Sequence, residues 1–479
     1  MDDSLHIHPC IKVLSSEAIA QIHQSSLKIL LEIGIRVDSA KAIKYFKAAP
    51  GVKYLDEQRL SLQPEIVEWA IQECPSSINI YNRKGDLIIH LGRDSTRFGI
   101  GVSNLYFQDP CTNEILPFTR EHMRKSVGLG NNLPSYDVIS TIGIIRDVET
   151  NKADLIALLE MVANTTKPLI ILISDEKQFL PGLILLEHLV GELSEKPFII
   201  PYFNPVTPLI INQSTADNIL TSIEQGLPFI FSNYGMAGVS TPITSAGTLA
   251  LLNAELLAGL VFSQLVKPGT PIILGSLPAF FDMKTMVDFF DPQTMLLNLA
   301  CAEMMDYYHI PHAGTSGSAN GWGADLIASE ALMMNNLTSC LGKVGLAPFV
   351  GGSFGSKVFS PTMVVYANEV IEQSRHFENG FIVNEETLAL NEMIKIGIGG
   401  NFISSRQTLK LFRDAYHTST IFPRLSLEKW QELDHPDAMK FLRERTLDLM
   451  NLSNYPTDQL ELLQKGEYLI RRNQILPRK

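Results

Sequence analysis

Residues 227–275 read LPFIFSNYGMAGVSTPITSAGTLALLNAELLAGLVFSQLVKPGTPIILG. Two short apolar runs, 228–232 and 271–275, flank a segment, 244–266, in which leucines recur at near-helical spacing. This order predicts a β-α-β unit. Both strands are followed by small or polar residues, and in parallel α/β folds the carboxyl ends of the strands face the ligand. The stretch therefore predicts one sector of a barrel, with a binding site at its mouth.

The alternation of strand and helix continues on both sides of this unit. Candidate strands lie at 97–101, 136–143, 168–173, 197–202, 228–232, 271–275, 309–314 and 346–351. Helical patterns follow them at 120–129, 152–163, 176–193, 216–224, 244–266, 293–308, 325–341 and 361–377. A (β/α)8 TIM barrel requires eight such units, whereas an open doubly wound sheet normally shows fewer. We therefore predict a (β/α)8 TIM barrel.

The sequences on either side of these eight units do not alternate regularly between strand and helix patterns. The first part of the chain predicts a helix from 15 or 16 to 32, two shorter helices, and a hairpin formed by the alternating runs 78–81 and 87–90. Beyond residue 384 the pattern is only helical. We expect three parts: an N-terminal helical and hairpin layer (1–94), the barrel (95–383), and a C-terminal helical extension packed on the barrel (384–479).

Net charge, cysteine spacing and hydropathy argue against several classes of protein function and location. The net charge of −12 over 479 residues argues against binding to nucleic acid or to anionic membranes. The five cysteines are odd in number, far apart and never in a CxxC pair, and no basic and apolar leader pattern opens the chain, so we expect a cytoplasmic protein. The most apolar window, 243–266, carries Asn253, Glu255 and Gln264, which favours a buried barrel helix over a membrane span.

The residues at or just after the strand ends are the candidates for chemistry. They are mostly amide, hydroxyl and aromatic groups: Asn104, Tyr106, Tyr202, Asn204, Ser232, Asn233, Tyr234, Ser276, Phe280, Asp282, His312, Thr315, Ser316, Asn320, Ser353 and Phe354. They include no cluster of paired carboxylates and no close set of metal ligands. No candidate strand carries a lysine for a Schiff base, and no Walker or GxGxxG motif indicates a nucleotide.

Two features of this set suggest a ligand. Glycine-rich runs at 314–318 and 351–355 indicate either tight turns or loops that approach a large ligand closely. Aromatic residues near the mouth suit a quaternary ammonium ion, whose charge is attracted to ring faces. The candidates are Tyr106, Tyr202, Tyr234, Phe280, Trp322, Phe354 and Phe359, each of which could equally be plain packing.

Several linked motifs carry a resemblance over nearly the whole chain. They are GMAG (235–238), TP (241–242), AGTL (246–249), NAE (253–255), QLVKPG (264–269), GSFGSK (352–357), VNEETLA (383–389), GGNF (399–402) and TLK (408–410). In this order they resemble the trimethylamine methyltransferase family. The founder of that family carries pyrrolysine in its barrel, whereas this chain has only standard residues and resembles the non-pyrrolysine branch. The position that corresponds to the founder's pyrrolysine is expected within 314–322.

The resemblance implies demethylation of a quaternary amine, with glycine betaine as the leading candidate and proline betaine, carnitine and γ-butyrobetaine as others. The methyl acceptor would be the Co(I) of a corrinoid (cobalamin) carried by a separate partner protein, so we expect no tightly bound cofactor, no metal site and no catalytic side chain here. The chain would position the substrate, and we expect it to act as a homo-oligomer. The expected substrate-binding residues are Asn204, Asn233, Tyr234, His312, Trp322, Gly352, Ser353 and Phe354.

Two other functions remain open from the residues. The first is a barrel that binds quaternary amines or docks a corrinoid protein without turnover. The second is a demethylase of a secondary or tertiary methylamine, which requires an added anionic group in the mouth. Asp282 is the best candidate for that group.

Overall fold

A computed structural model of the chain describes residues 5–92, 95–315, 317, 320–472 and 475. Its N-terminal layer contains strands β1 (Leu5–Ile7), β2 (Ile35–Val37), β3 (Val52–Tyr54), β4 (Arg59–Leu62), β5 (Ile78–Tyr81) and β6 (Leu87–Leu91), and helices α1 (Ser16–Lys28), α2 (Ala40–Lys47) and α3 (Pro64–Glu73). Helix α1 continues as a π-helical turn, Ile29–Ile33, and stops at Gly34, whose φ is 75°. A side chain at Gly34 would collide with the carbonyl oxygen of Leu60, so glycine is required at this stop.

The remaining strands begin at residue 97. They are β7 (Arg97–Ile100), β8 (Tyr106–Gln108), β9 (Ile115–Pro117), β10 (Tyr136–Ser140), β11 (Leu169–Ile171), β12 (Ile199–Phe203), β13 (Ile210–Ile211), β14 (Phe229–Ala237), β15 (Ile272–Asp282), β16 (Val287–Phe289), β17 (His312–Ala313), β18 (Leu346–Val350), β19 (Gly352–Ser353), β20 (Val358–Phe359) and β21 (Phe381–Val383). Strands β7, β10, β11, β12, β14, β15, β17 and β18 pair in parallel in that order, and β18 pairs back to β7. The predicted (β/α)8 barrel is confirmed.

One helix follows each barrel strand. These helices are α4 (Arg120–Asn132), α5 (Ala153–Asn164), α6 (Phe179–Val190), α7 (Gln213–Glu224), α8 (Ser245–Val266), α9 (Pro292–Tyr308), α10 (Leu326–Leu341) and α11 (Pro361–Glu378). Within the described residues, α8 alone has the length and composition of a membrane span, but 89% of its most apolar window is buried inside the protein. It packs against β14 and β15 on one side and against α1 and α3 on the other, which explains its apolar composition.

The β5–β6 hairpin closes the amino-terminal end of the barrel. The backbone N–H of Tyr81 donates to the carbonyl of Pro197, just before β12, and that of Arg83 donates to the carbonyl of Thr166, just before β11. The buried hairpin side chains join the inward-facing barrel residues in one apolar cluster, which contains Ile78, Ile80, Ile89, Leu91, Val138, Ile170, Ile200, Tyr202, Ile230, Ile273, Ala313, Leu346 and Phe349. The carboxyl end of the barrel is therefore the end at which a ligand can approach the axis.

The C-terminal part contains α12 (Glu385–Leu388), α13 (Leu390–Ile396), α14 (Arg406–Leu411), α15 (Leu427–Glu432), α16 (Ala438–Asn451) and α17 (Gln459–Arg471). Helix α16 packs on α4 and α11, and α17 packs on α5 and α6. The buried carboxylate of Glu160 in α5 accepts from Arg120 (2.6 Å) and Arg124 (3.3 Å) of α4, and Arg120 also contacts Glu467 of α17 at 2.8 Å. Charge pairing thus joins the last helix to the barrel's outer layer.

Candidate functional site

The mouth of the barrel is the end formed by the carboxyl ends of the eight strands. Strands β14 and β15 extend well beyond the barrel and remain paired over nine residues, and β16 folds back on β15 as a hairpin. On the other side, β19, β20, β8 and β9 form a small sheet from the loops after the first and last barrel strands. These extensions build walls around the mouth.

A group of polar side chains faces the axis just above the apolar cluster. We call Ser103, Tyr202, Asn204 and Ser232 the polar shelf. Tyr202 lies on β12 two residues beyond Ile200, and Ser232 lies on β14 two residues beyond Ile230, so strand alternation directs the side chains of Tyr202 and Ser232 inward. The amide nitrogen of Asn204 donates to the carbonyl of Ser232 at 2.8 Å and ties the two strands together.

Three hydroxyls of the polar shelf are buried and make no hydrogen bond of regular geometry among the described residues, although the Tyr202 phenol lies close to Ser232 and Asn204. They are Oγ of Ser103, the phenol oxygen of Tyr202 and Oγ of Ser232. The ring of Tyr202 packs edge-on against Phe349, with centroids 5.0 Å apart, and burial raises the pKa of Tyr202 to about 12. The phenol is therefore a neutral donor at physiological pH. Buried hydroxyls normally have partners, so three together indicate a place for a polar ligand.

A cavity of about 300 Å³ opens at the polar shelf, a size suited to a small ligand. Ser103, Leu172, Tyr202 and Asn204 line it, and the exposed Glu176 stands on its solvent side. A larger cavity, of about 990 Å³, lies among α2, α3 and α7 on the outer surface. We assign the site to the smaller cavity because it lies at the strand ends and has convergent polar groups.

A second feature of the mouth is a contact that involves β14, β16 and the loop after the last barrel strand. The phenol of Tyr234 on β14 donates to Oδ2 of Asp288 on β16 at 2.5 Å, and burial together with this carboxylate raises the pKa of Tyr234 far above its ordinary value. Gly355, in the loop after the last barrel strand, lies close to the same carboxylate: a Cβ there would be 3.7 Å from Oδ1. The mouth therefore contains a partly buried anionic group beside an aromatic ring.

Comparison with known proteins assigns the family. The family model described as trimethylamine methyltransferase (MTTB) matches residues 3–477. The chain belongs to the trimethylamine methyltransferase family.

Curated relatives are similar over most of their length. A glycine betaine methyltransferase of Desulfitobacterium hafniense (strain Y51) is 25% identical over 429 residues, which is 88% of this chain and 89% of that protein. The trimethylamine methyltransferases MttB of Desulfitobacterium hafniense (strain DSM 10664 / DCB-2) and of Methanosarcina thermophila are each 26% identical, over 93% and 92% of this chain and 90% and 93% of theirs. The crystal structure of the Methanosarcina barkeri monomethylamine methyltransferase (MtmB) superimposes with a TM-score of 0.52 at 9% identity, over 97% of this chain and 89% of that one, which shows a shared fold.

For this member of the trimethylamine methyltransferase family, the structure separates the expected site residues into two groups. Asn204 belongs to the polar shelf, and Tyr234 faces the barrel because it lies two residues beyond Ser232 on β14. Asn233 and His312 do not, because side chains alternate along a strand and both point toward the helical layer. Asn233 donates to Glu255 of α8 at 3.1 Å, and His312 lies with its Nδ1 2.8 Å from the carbonyl of Val344. Burial lowers the pKa of His312 to about 4, so its imidazole is neutral.

The loop residues are also placed differently from the expectation. Gly352 and Ser353 are buried in the β19–β20 pairing, where Oγ of Ser353 donates to the carbonyl of Val358 at 3.1 Å. The backbone N–H of Phe354 donates to the carbonyl of Gly321, so it is not available for a substrate carboxylate. Trp322 is 64% exposed on the surface. Ser316, Ser318 and Ala319, within the expected pyrrolysine-equivalent segment, lie outside the described residues.

The aromatic residues converge only in part. Tyr202 and Tyr234 face the barrel, but Arg146 covers the ring of Tyr106 at 5.3 Å, and Phe359 is fully buried in the core. Phe280 points to the outer side of β15 and packs on Phe289.

Asp282, the candidate anionic group of the alternative demethylase function, does not face the mouth, whereas the carboxylate of Asp288 lies beside Tyr234. Asp282 sits in the β15–β16 turn, where it accepts from Thr285 Oγ1 at 2.6 Å, and this bond lowers its pKa. Sequence reasoning missed Asp288, Ser103 and Glu176. In the sequence, the one feature that could have pointed to these three residues is their position in loops or hairpins that follow barrel strands.

Proposed function

We propose that this protein transfers a methyl group from a small quaternary amine, most simply glycine betaine, to the Co(I) of a corrinoid held by a separate protein. The observation that carries the proposal is the polar shelf: the hydroxyls of Ser103, Tyr202 and Ser232 make no regular hydrogen bond, and Ser103 and Tyr202 line a cavity of about 300 Å³. Family membership supports methyl transfer, and a relative named glycine betaine methyltransferase supports the substrate class.

The chemistry places few demands on protein side chains. As the methyl carbon leaves, its bond to nitrogen breaks, the electron pair stays on nitrogen, and a neutral tertiary amine departs. The cobalt donates the electron pair of the new bond to carbon, and no proton moves. The protein has to orient the cation, exclude water and leave the mouth accessible. A mouth without a paired acid and base in its described part is consistent with that task.

Each end of a betaine has suitable partners in this site. The hydroxyls of Ser103, Tyr202 and Ser232 would donate to the carboxylate, which replaces their missing partners. Tyr234 lies two residues beyond Ser232, about 7 Å further along the strand toward solvent. Its ring and the carboxylate of Asp288 would face the cationic nitrogen.

The test uses the purified chain, a reduced corrinoid protein and one amine at a time. With glycine betaine we expect the absorption of Co(I) to be replaced by that of methyl-cobalt, and one dimethylglycine to form for each methyl transferred. Proline betaine, carnitine and γ-butyrobetaine establish the range of substrates. Binding of betaine, seen as a saturable melting shift, with no methyl-cobalt from any amine would contradict the proposal.

Asp288 favours a second candidate donor, a tertiary methylamine. A carboxylate beside the mouth attracts a protonated amine as well as a quaternary one, and two relatives are named trimethylamine methyltransferase. Methyl transfer from trimethylamine without transfer from betaine would favour this candidate.

A further inference from the structure

A cluster of metal-binding side chains lies outside the mouth, where α11 meets the C-terminal part. Glu369 and Glu372 are three residues apart on one face of α11, and His417 reaches them from the segment after α14. One donor atom from each of the three side chains lies within 4.8 Å of the other two. Nε2 of His417 is 2.7 Å from Oε1 of Glu369.

The carboxylate of Glu369 is incompletely satisfied. Its side chain is only 1% exposed, and its Oε2 has no hydrogen-bond partner. Its Oε1 accepts from Gln373 at 3.3 Å and contacts His417, which is its one ionic partner in the described part of the chain. A buried carboxylate with a free oxygen and no lysine or arginine partner lacks compensation for its charge, and a cation would supply it.

Neighbouring groups orient the other two side chains. Oε1 of Glu372 accepts from Asn368 at 2.9 Å and from Ser135 at 3.4 Å. The guanidinium of Arg424 donates to the backbone carbonyl of His417 at 2.5 Å and stacks over Tyr416, which holds the loop in place. Hydrogen bonds of this kind around metal ligands are common, because they fix ligand orientation.

We propose that Glu369, Glu372 and His417 bind one divalent transition-metal ion, which fastens the segment carrying His417 to α11. Two carboxylates and one imidazole are a ligand set that Zn²⁺ accepts. Tetrahedral zinc with bonds of roughly 2.1 Å needs donors about 3.4 Å apart, so small side-chain rotations suffice. The ion would replace the direct contact between His417 and Glu369.

The surroundings provide access and a fourth ligand. A cavity of about 440 Å³, lined by Gln373, His376 and His417 among others, opens beside the cluster. His376 lies one turn beyond Glu372 on the same helix face, is exposed, and has its ring centroid 6.4 Å from that of His417. The fourth position would be filled by water or by His376. The cluster lies in the outer helical layer, so we assign it a structural role that is independent of methyl transfer.

The test measures metal binding by the full chain. After removal of metal with EDTA, Zn²⁺ is titrated in competition with a chromogenic chelator, and Co²⁺ reports the site through its visible absorption. We expect one ion per chain and a higher melting temperature with Zn²⁺. Glu369→Gln, Glu372→Gln and His417→Gln should each weaken Zn²⁺ binding by at least about tenfold, since they remove ligands. His435→Gln, on the same C-terminal part but outside the cluster, is the matched control.

The outcomes separate the proposal from a simple hydrogen-bonded pair. Should Glu369→Gln fail to fold, Glu372→Gln and His417→Gln carry the test, because both side chains are partly exposed. The absence of stoichiometric Zn²⁺ in the unmodified chain would overturn the proposal. So would equal Zn²⁺ affinity in the cluster variants and in His435→Gln.

Discussion

The phenol of Tyr234 and the carboxylate of Asp288 form a hydrogen bond of 2.5 Å on one wall of the mouth, between residues 54 positions apart in the sequence. If Asp288 draws the cationic nitrogen into the site, Asp288→Asn should raise the KM for the amine about tenfold, which corresponds to ~1.4 kcal/mol. Tyr234→Phe should raise it less, because the charge remains. Steady-state kinetics of methyl transfer measure both effects.

Asp282→Asn is the matched control for this prediction. Asp282 lies on the same hairpin, but its carboxylate accepts hydrogen bonds from Lys284 N–H and Thr285 Oγ1 within the turn. An equal rise in KM for Asp282→Asn and Asp288→Asn would show that Asp288 has no specific part in binding.

The unpartnered phenol of Tyr202 makes a sharper prediction. Tyr202→Phe removes a hydroxyl that makes no hydrogen bond of regular geometry to the protein, so the free energy of unfolding should stay within about 1 kcal/mol or rise slightly. The value of kcat/KM for betaine should fall at least about tenfold, because the substrate carboxylate loses a buried donor. Chemical unfolding and methyl-transfer assays give the two values.

Tyr136→Phe is the comparison variant. Its hydroxyl donates to the carbonyl of Val364 at 2.7 Å in the outer layer, so its loss should cost about 1–3 kcal/mol of stability and leave substrate kinetics unchanged. If Tyr202→Phe instead behaves like Tyr136→Phe, the polar shelf does not bind the substrate.

His312 should make the protein sensitive to acid. Burial lowers its pKa from 6.5 to about 4 in the folded state. Between these values the unfolded chain takes up a proton that the folded chain does not, so stability should fall as pH falls from 6.5 to 4, by roughly 3 kcal/mol. His312→Gln should flatten urea-unfolding stability over this range. Methyl transfer should show no dependence on an ionisation of His312, because its side chain lies away from the mouth.

Glu255 should make the folded protein less stable as the pH rises, which is opposite to the effect of His312. Burial raises its pKa from 4.5 to about 7, even though Leu209 N–H, Thr207 and Asn233 donate to it. The folded chain keeps a proton that the unfolded chain releases, so stability should fall as pH rises from 4.5 to 7, by roughly 3 kcal/mol. Glu255→Gln should remove this loss, as measured by urea unfolding at pH 5 and pH 8. An unchanged pH dependence in the variant would contradict this assignment.

The eight-strand order was predictable because strands and helices are encoded locally. The apolar runs that became β14 and β15, and the leucine spacing of α8, depend on residues near one another in the chain. The rule that parallel strand ends face the ligand also correctly placed Tyr202, Asn204 and Ser232 near the mouth. Their missing hydrogen-bond partners could not be predicted, since these depend on what packs around each hydroxyl.

The direction of each side chain near the mouth could not be predicted from the sequence. Asn233 lies in the middle of β14, His312 is the first residue of β17, and both side chains face the helices. A shift of one residue in a strand reverses the facing of a side chain, and local pattern does not locate a strand to that accuracy.

The sequence alone thus determined the barrel, its family and the polar character of its mouth, because these follow from periodicity and from motifs within short segments. Only the tertiary structure decided which polar groups share the mouth, why Asp288 rather than Asp282 meets Tyr234, and how His417 comes to lie beside Glu369. Such contacts join residues far apart in sequence. They are set by how the strands close and how the outer helices pack, which no local pattern records.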